Sequence, residues 1–402
     1  MILQEQFTEI IQSQMAYVKS AATGMPREKL SHIRLHKNFA IVISGIRRSG
    51  KSTLMLQLLN AQKRKFIFLN FEDTRFAFFE IADYQRLFKS IEATKVKVLY
   101  FDEIQIMPGW ELFVRQLLDH SYQVVITGSN ATMLSPELGT KLTGRHLSYE
   151  LFPFSYTEYL QFEKEKPGTA SVERYLLKGG FPEYLKIKEN LMLNQLLEDI
   201  LYRDVIVRYN IRDVQAMRKL AVYLLSNIAK PVSANNLKSL FQIKSATTLL
   251  DYFSYLENSY VVQFVPMLSH SVKKQMRNDK KVYAIDMGMV QQNSLSLSDD
   301  NGRKLENLIY LYLRRKHKEI FYYQESGECD FVVTENTKPV GLVQVCYQLT
   351  GENKDREING LLDAMKFTGL KSGTIVTMNT SDTIFMDNKT INIMLAKDFL
   401  SR

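Results

Sequence analysis

Short unbroken apolar runs alternate with stretches of helical spacing through the first part of the chain. The runs at 39–43, 65–71, 96–101 and 123–127 read as strands buried on both faces, because a strand covered on one side only would alternate apolar with polar residues. Residues 53–59 carry helical spacing directly behind the first run, and an alternating run follows at 147–151. The order predicts an α/β fold around a parallel sheet. Residues 3–37 predict two amphipathic helices packed on the sheet edge, the second opened by Pro26 with Leu30, Ile33 and Leu35 on one face. The charged stretch 164–170, which holds Pro167 and Gly168, reads as a loop near a domain boundary.

The link between the first strand and its helix carries the chemistry. Gly45-Ile46-Arg47-Arg48-Ser49-Gly50-Lys51-Ser52 fills every fixed position of a phosphate loop, with Thr53 opening the helix. Glycines 45 and 50 let backbone N–H groups face phosphate oxygens, the helix N-terminus adds partial positive charge, Lys51 reaches the β and γ phosphates, and Ser52 offers a hydroxyl to Mg²⁺. ATP and Mg²⁺ are therefore the expected ligands. The third run ends in Asp102-Glu103, where Asp102 is placed to hold the metal and Glu103 to polarise an attacking water. The fourth ends in Gly128-Ser129-Asn130, so Asn130 or Ser129 is placed to sense the γ-phosphate, Asn130 being equally suited to cap the next helix. Arg145 is a candidate sensor or trans-acting arginine, or a surface arginine ahead of a strand.

Composition narrows the class. With 402 residues, 45% hydrophobic and 24% charged, the chain is expected to fold throughout as more than one domain. No apolar run reaches the roughly 18 residues of a membrane span, and an acidic N-terminus argues against a signal peptide, which points to the cytoplasm. Cys329 and Cys346 are too few for a disulfide framework, and the six histidines lack metal-ligand spacing. A net charge of +9 permits nucleic-acid contact.

The double-arginine phosphate loop, Phe101-Asp102-Glu103-Ile104-Gln105, Thr127-Gly128-Ser129-Asn130, Leu142-Thr143-Gly144-Arg145 and the segment 151–159 together resemble prokaryotic AAA-type ATPases with a C-terminal nuclease-like domain of unknown function. The resemblance implies an AAA+ parallel sheet, with Lys51, Ser52, Asp102 and Glu103 as nucleotide residues. Gly179-Gly180-Phe181-Pro182-Glu183 and the segment 201–209 resemble the same family, where they adjoin the ATPase core.

Three domains are expected: 1–165 for the ATPase with its N-terminal helices, 166–298 for a helical lid and winged helix-turn-helix, and 299–402 for a nuclease-like α/β unit. In the second, a helix to 227 and two short helices capped by Ser233 and Ser245 precede an apolar run and a turn carrying Lys273, Lys274, Arg277, Lys280 and Lys281, cations that suit phosphate contacts. In the third, Glu306, Asp330 and Gln344-Val345-Cys346 resemble the acidic and lysine positions of restriction-endonuclease-like nucleases, with Cys346 at the lysine and neutral Gln344 at an acid, which argues against catalysis there. The partner stays open between DNA, through the winged helix and its basic turn, and a protein. Arg145 keeps an oligomer open as well.

Overall fold

Each apolar run of the first part becomes a strand: β1 (Ala40–Ser44), β2 (Ile67–Asn70), β3 (Val98–Asp102), β4 (Gln123–Gly128) and β5 (His146–Glu150). They pair in the order β2-β3-β4-β1-β5, every pair parallel. The computed structural model describes residues 2–62, 64–134, 136–296 and 300–402. Central β1 sends Ala40 and Val42 into a core with Trp110 and Leu117, and Ile41 and Ile43 into a second core with Leu54 and Leu58. Two covered faces are why its sequence does not alternate. Edge strand β5 is only partly buried and does alternate.

The helix Gln4–Ser20 packs along β2, and the Gln14 amide receives the Asn70 N–H at 2.6 Å while donating to the Asn70 carbonyl at 3.2 Å. The second expected N-terminal helix is instead a 3-10 turn, Glu28–His32. Its entry is committed elsewhere. Arg27 is extended, its N–H held by Gln57 and its guanidinium by the Ser49 carbonyl, so the backbone docks on the phosphate loop rather than coiling upstream.

The chain divides into two compact units, Met1–Leu151 and Phe152–Arg402. Residues 152–165, drawn into the first domain on sequence, fall with the second, where Phe154 N–H donates to the Gly180 carbonyl at 2.7 Å and the Tyr175 hydroxyl donates to the Phe154 carbonyl. In this unit the helices Val214–Ser226, Ala234–Leu240 and Ala246–Asn258 accompany β6 (Pro231–Val232), β7 (Val262–Val265) and β8 (Lys280–Ala284), an antiparallel sheet in the order β6-β8-β7. Ser245 caps its helix through the Thr248 N–H, whereas Ser233 makes no side-chain cap. The basic turn contains a short helix, Val272–Arg277, capped by Ser271.

A six-stranded mixed sheet follows, formed by β9 (Glu319–Gln324), β10 (Glu328–Glu335), β11 (Lys338–Val345), β12 (Ser372–Thr377), β13 (Asp382–Met386) and β14 (Lys389–Leu395). Its order is β13-β14-β12-β11-β10-β9, and the helix Lys354–Thr368 covers it through Leu361 and Met365. No helix among the described residues is long and apolar enough to cross a membrane.

Candidate functional site

Strand β1 delivers the phosphate loop to the carboxyl edge of the sheet, where β3 and β4 also end. Gly45 passes so close to the chain that a Cβ would lie 2.1 Å from the Leu151 carbonyl oxygen, and Gly50 turns with φ 95°, a left-handed conformation that favours glycine. The helix Lys51–Ala61 begins immediately after. Lys51 is buried, and its ammonium donates to the Gly45 and Ile46 carbonyls at 3.1 Å each and to Ser129 Oγ at 2.9 Å.

Ser129 joins the lysine to the acid. Its hydroxyl donates to Glu103 Oε1 at 3.0 Å, and Glu103 Oε1 stands 3.6 Å from Lys51 Nζ. Gln105 donates to the other Glu103 oxygen at 2.5 Å. Glu103 has a left-handed backbone (φ 52°), its N–H held by Thr127 Oγ1 at 2.9 Å. A non-glycine residue in that region stores strain, and such outliers cluster at active sites. The Thr127 hydroxyl also donates to Asp102, and Ser52 hydrogen-bonds the same carboxylate.

The two acids are tuned apart. Burial opposes the charge on Glu103, yet Lys51, Gln105, Ser129 and Arg47 outweigh it and hold the carboxyl below its ordinary range. Burial and the neighbouring Glu103 push Asp102 up, against Thr127, Ser52 and Lys51. A cation at Asp102 would relieve that penalty. The donor set suits Mg²⁺, which favours oxygen ligands from one or two protein groups together with phosphate. Ser52 and Asp102, hydrogen-bonded to each other, are the residues that could hold it. The fully buried Ser49 Oγ has no hydrogen-bond partner among the described residues, the kind of orphan a bound phosphate satisfies.

Other predicted residues lie apart from this cluster or support it. Arg47 leans on Glu72 at 3.4 Å, and Arg48, with φ 61°, is exposed beside it. Thr53 is half-buried in the first helical turn. Asn130 is buried, but its Oδ1 accepts the Thr132 N–H at 2.7 Å as a local cap, and its carbonyl accepts the Ser44 hydroxyl. Arg145 pairs with Asp119 at 2.8 Å on the surface. Arg27 escaped the sequence reading. Its Nη1 donates to the Ser49 carbonyl at 2.6 Å from a site 5% exposed, and only its place after Pro26 marks it in the sequence.

A second polar cluster lies in the other unit. Lys281, assigned on sequence to the phosphate-contacting turn, is buried on the face of β8 that also carries Tyr283, whereas Lys280, which opens the strand, is exposed. Its ammonium meets Asp330 Oδ1, Glu328 Oε1 and Glu306 Oε1. The Tyr283 hydroxyl donates to Glu306 at 2.7 Å, and Gln344 joins the Asp330 N–H to Glu357. Burial and then Asp330 push Glu306 up to about 8, while Asp330, Glu306 and Glu328 overcome burial to keep Lys281 charged. Cys346 sits in the hydrophobic core of the six-stranded sheet domain.

Residues 37–160 match the family described as AAA domain, and residues 169–301 match a domain of unknown function, DUF8612. The uncharacterized protein MJ1544 of Methanocaldococcus jannaschii is 36% identical over 360 residues, spanning 83% of this chain and 80% of that protein. An uncharacterized protein of Haemophilus influenzae is 27% identical over 334 residues, 78% of this chain and 83% of its own. Among solved structures, the Walker-type ATPase paby2304 of Pyrococcus abyssi aligns with 73% of this chain and 95% of its own at 13% identity and a TM-score of 0.40. The chain belongs to one family with MJ1544, and its first unit is an AAA-type ATPase domain.

Proposed function

We propose that this protein is a Mg²⁺-dependent ATPase in which hydrolysis switches the state of its C-terminal modules. The observation that carries the reading is the convergence of Lys51, Ser129 and Glu103 beside the phosphate loop, next to Asp102 with its hydrogen bond from Ser52. The backbone N–H groups of 45–51 and the Lys51 ammonium take up the charge of the β and γ phosphates. Ser52 and Asp102 would hold Mg²⁺, which supplies further neutralisation of the phosphate oxygens. Glu103, kept ionised by Lys51, accepts the proton of the attacking water as its oxygen bonds to the γ-phosphorus. The bond to the β-phosphate oxygen breaks, and ADP leaves with that electron pair. Ser129 orients Glu103 and reports to it through Lys51 whether a γ-phosphate is present.

For the partner, DNA bound by the segment 214–284 is the favoured reading. The order of helix, strand, two helices and two strands around β6-β8-β7 supports a winged helix-turn-helix. Lys273, Lys274, Arg277 and Lys280 remain exposed beside it. The deciding experiment is steady-state ATP hydrolysis with and without duplex DNA, Glu103→Gln serving to assign the activity to this site. Stimulation that fades with salt supports the DNA switch, since phosphate contacts release counterions. Hydrolysis indifferent to DNA assigns the modules to a protein partner, and absence of any Glu103-dependent hydrolysis sinks the ATPase reading itself.

A further inference from the structure

The carboxylate cluster of the second unit already contains a cation. Lys281 Nζ stands 2.9 Å from Asp330 Oδ1, 3.0 Å from Glu328 Oε1 and 3.1 Å from Glu306 Oε1, and its side chain is 3% exposed. The ammonium donates hydrogen bonds to Asp330 and Glu306 and forms an ion pair with Glu328. Asp330 Oδ2 is taken by the Val345 N–H at 3.0 Å, and Glu306 Oε1 by the Tyr283 hydroxyl as well. Glu306 and Asp330 are positions at which the nuclease resemblance expects ligands for a divalent ion.

The residues do not fit that ion. A divalent metal needs oxygen ligands at about 2.0–2.6 Å from its centre, in the space the ammonium fills, and it would face a fixed positive charge there. Among the described residues, no group of three or more Asp, Glu, His or Cys side chains is arranged to hold a metal. Access is not the obstacle. A cleft of 1090 Å³ opens over the cluster, lined by Lys281, Glu306, Asp330, Gln344 and Glu357 among others.

We propose that Lys281, supplied by β8, is the resident cation of the Glu306–Asp330–Glu328 cluster in place of a divalent metal. While β8 stays in its sheet, the six-stranded domain performs no metal-dependent phosphodiester hydrolysis. The arrangement also ties the three-stranded sheet to β10 and to the helix Asn301–Lys316 through one buried side chain. Burying that ammonium would be strongly unfavourable alone, and the three acids offset the cost. The inference is independent of the ATPase reading.

The test is Mn²⁺ binding to the full-length, nucleotide-free protein followed by electron paramagnetic resonance, in an Asp102→Asn background that silences the phosphate-loop metal position. With Lys281 present, no bound Mn²⁺ depends on Asp330. Lys281→Met gains one Mn²⁺ per chain, and adding Asp330→Asn removes it. Because Lys281→Met leaves buried carboxylates uncompensated, the charge-balanced pair Lys281→Met with Glu306→Gln is measured beside it and is expected to gain the same ion more weakly. Asp330-dependent Mn²⁺ binding in the presence of Lys281 overturns the proposal, and so do folded variants that take up none. If neither variant folds, the Lys281-containing protein decides alone: Asp330-dependent binding refutes the proposal and its absence upholds it.

Discussion

Ser129 Oγ donates to Glu103 at 3.0 Å while accepting from Lys51, so one hydroxyl couples the lysine that opens the helix after the loop to the acid that follows β3. Its neighbour Asn130 spends its side chain on the Thr132 N–H instead. Ser129→Ala should therefore lower kcat for ATP by roughly tenfold or more, the scale of a lost positioning contact in a water-excluded site. Asn130→Ala should leave kcat near wild type and cost about 1 kcal/mol of stability through the lost cap. Steady-state hydrolysis and thermal unfolding of both variants check this, and the reverse ranking would return the sensing role to Asn130.

Burial and the neighbouring Glu103 make a charge on Asp102 costly. Its folded carboxyl titrates above the ordinary range, so the ionised form disfavours the nucleotide-free fold at neutral pH. Asp102→Asn should raise Tm by a few degrees without nucleotide, on the order of 1 kcal/mol or less, and abolish Mg²⁺-dependent hydrolysis. The sign follows the proton. As pH falls through the raised folded pKa, wild-type Asp102 takes up its proton and the advantage of the variant shrinks, vanishing below the unfolded pKa. Unfolding curves across acidic to neutral pH measure it.

Glu103 moves the opposite way, its folded pKa lying below the unfolded value. Its contribution to stability is present above the unfolded pKa and lost as pH falls through the folded one. The acid limb of hydrolysis should accordingly lie below the ordinary carboxylate range, and Gln105→Ala should move that limb upward by removing a donor from Glu103. A pH–rate profile that does not shift would show that Gln105 leaves this proton untouched.

Arg145 and Asp119 form a surface pair at 2.8 Å. Replacing Arg145 with Ala should cost less than about 1 kcal/mol of stability and leave hydrolysis by the dilute protein unchanged. Activity lost only at high protein concentration would reveal a role across a subunit interface.

Both thiols are buried, and burial pushes Cys346 up to about 11 and Cys329 higher still. Neither should react with a disulfide-exchange reagent at neutral pH in the folded protein, and both should react once it is unfolded. Rapid native labelling of either would contradict this packing.

The phosphate loop is legible in the sequence because its chemistry is contiguous and its strand and helix flank it. Asp102-Glu103 is legible for the same reason, at the end of an apolar run. What escapes depends on distance or on facing. Arg27 reaches Ser49 from upstream through a tertiary contact without a motif. Lys280 and Lys281 are indistinguishable as letters, and only their places in β8, the first at its exposed start and the second against Glu306 and Asp330, decide which meets water. At 129–130 the order of two polar residues leaves both candidates open, whereas the turn after β4 aims the first at Lys51 and folds the second back on its own backbone.

The Gln14 amide against Asn70 has a consequence for solubility. Strand β2 is the outermost strand on its side of the sheet, and an uncovered edge offers free N–H and C=O groups to the edge of another molecule. By bonding both backbone groups of Asn70, Gln14 acts as a single rung of a neighbouring strand, and the helix that carries it blocks further addition. Detaching that helix would expose a template for edge-to-edge assembly, so its docking guards the ATPase unit against self-association.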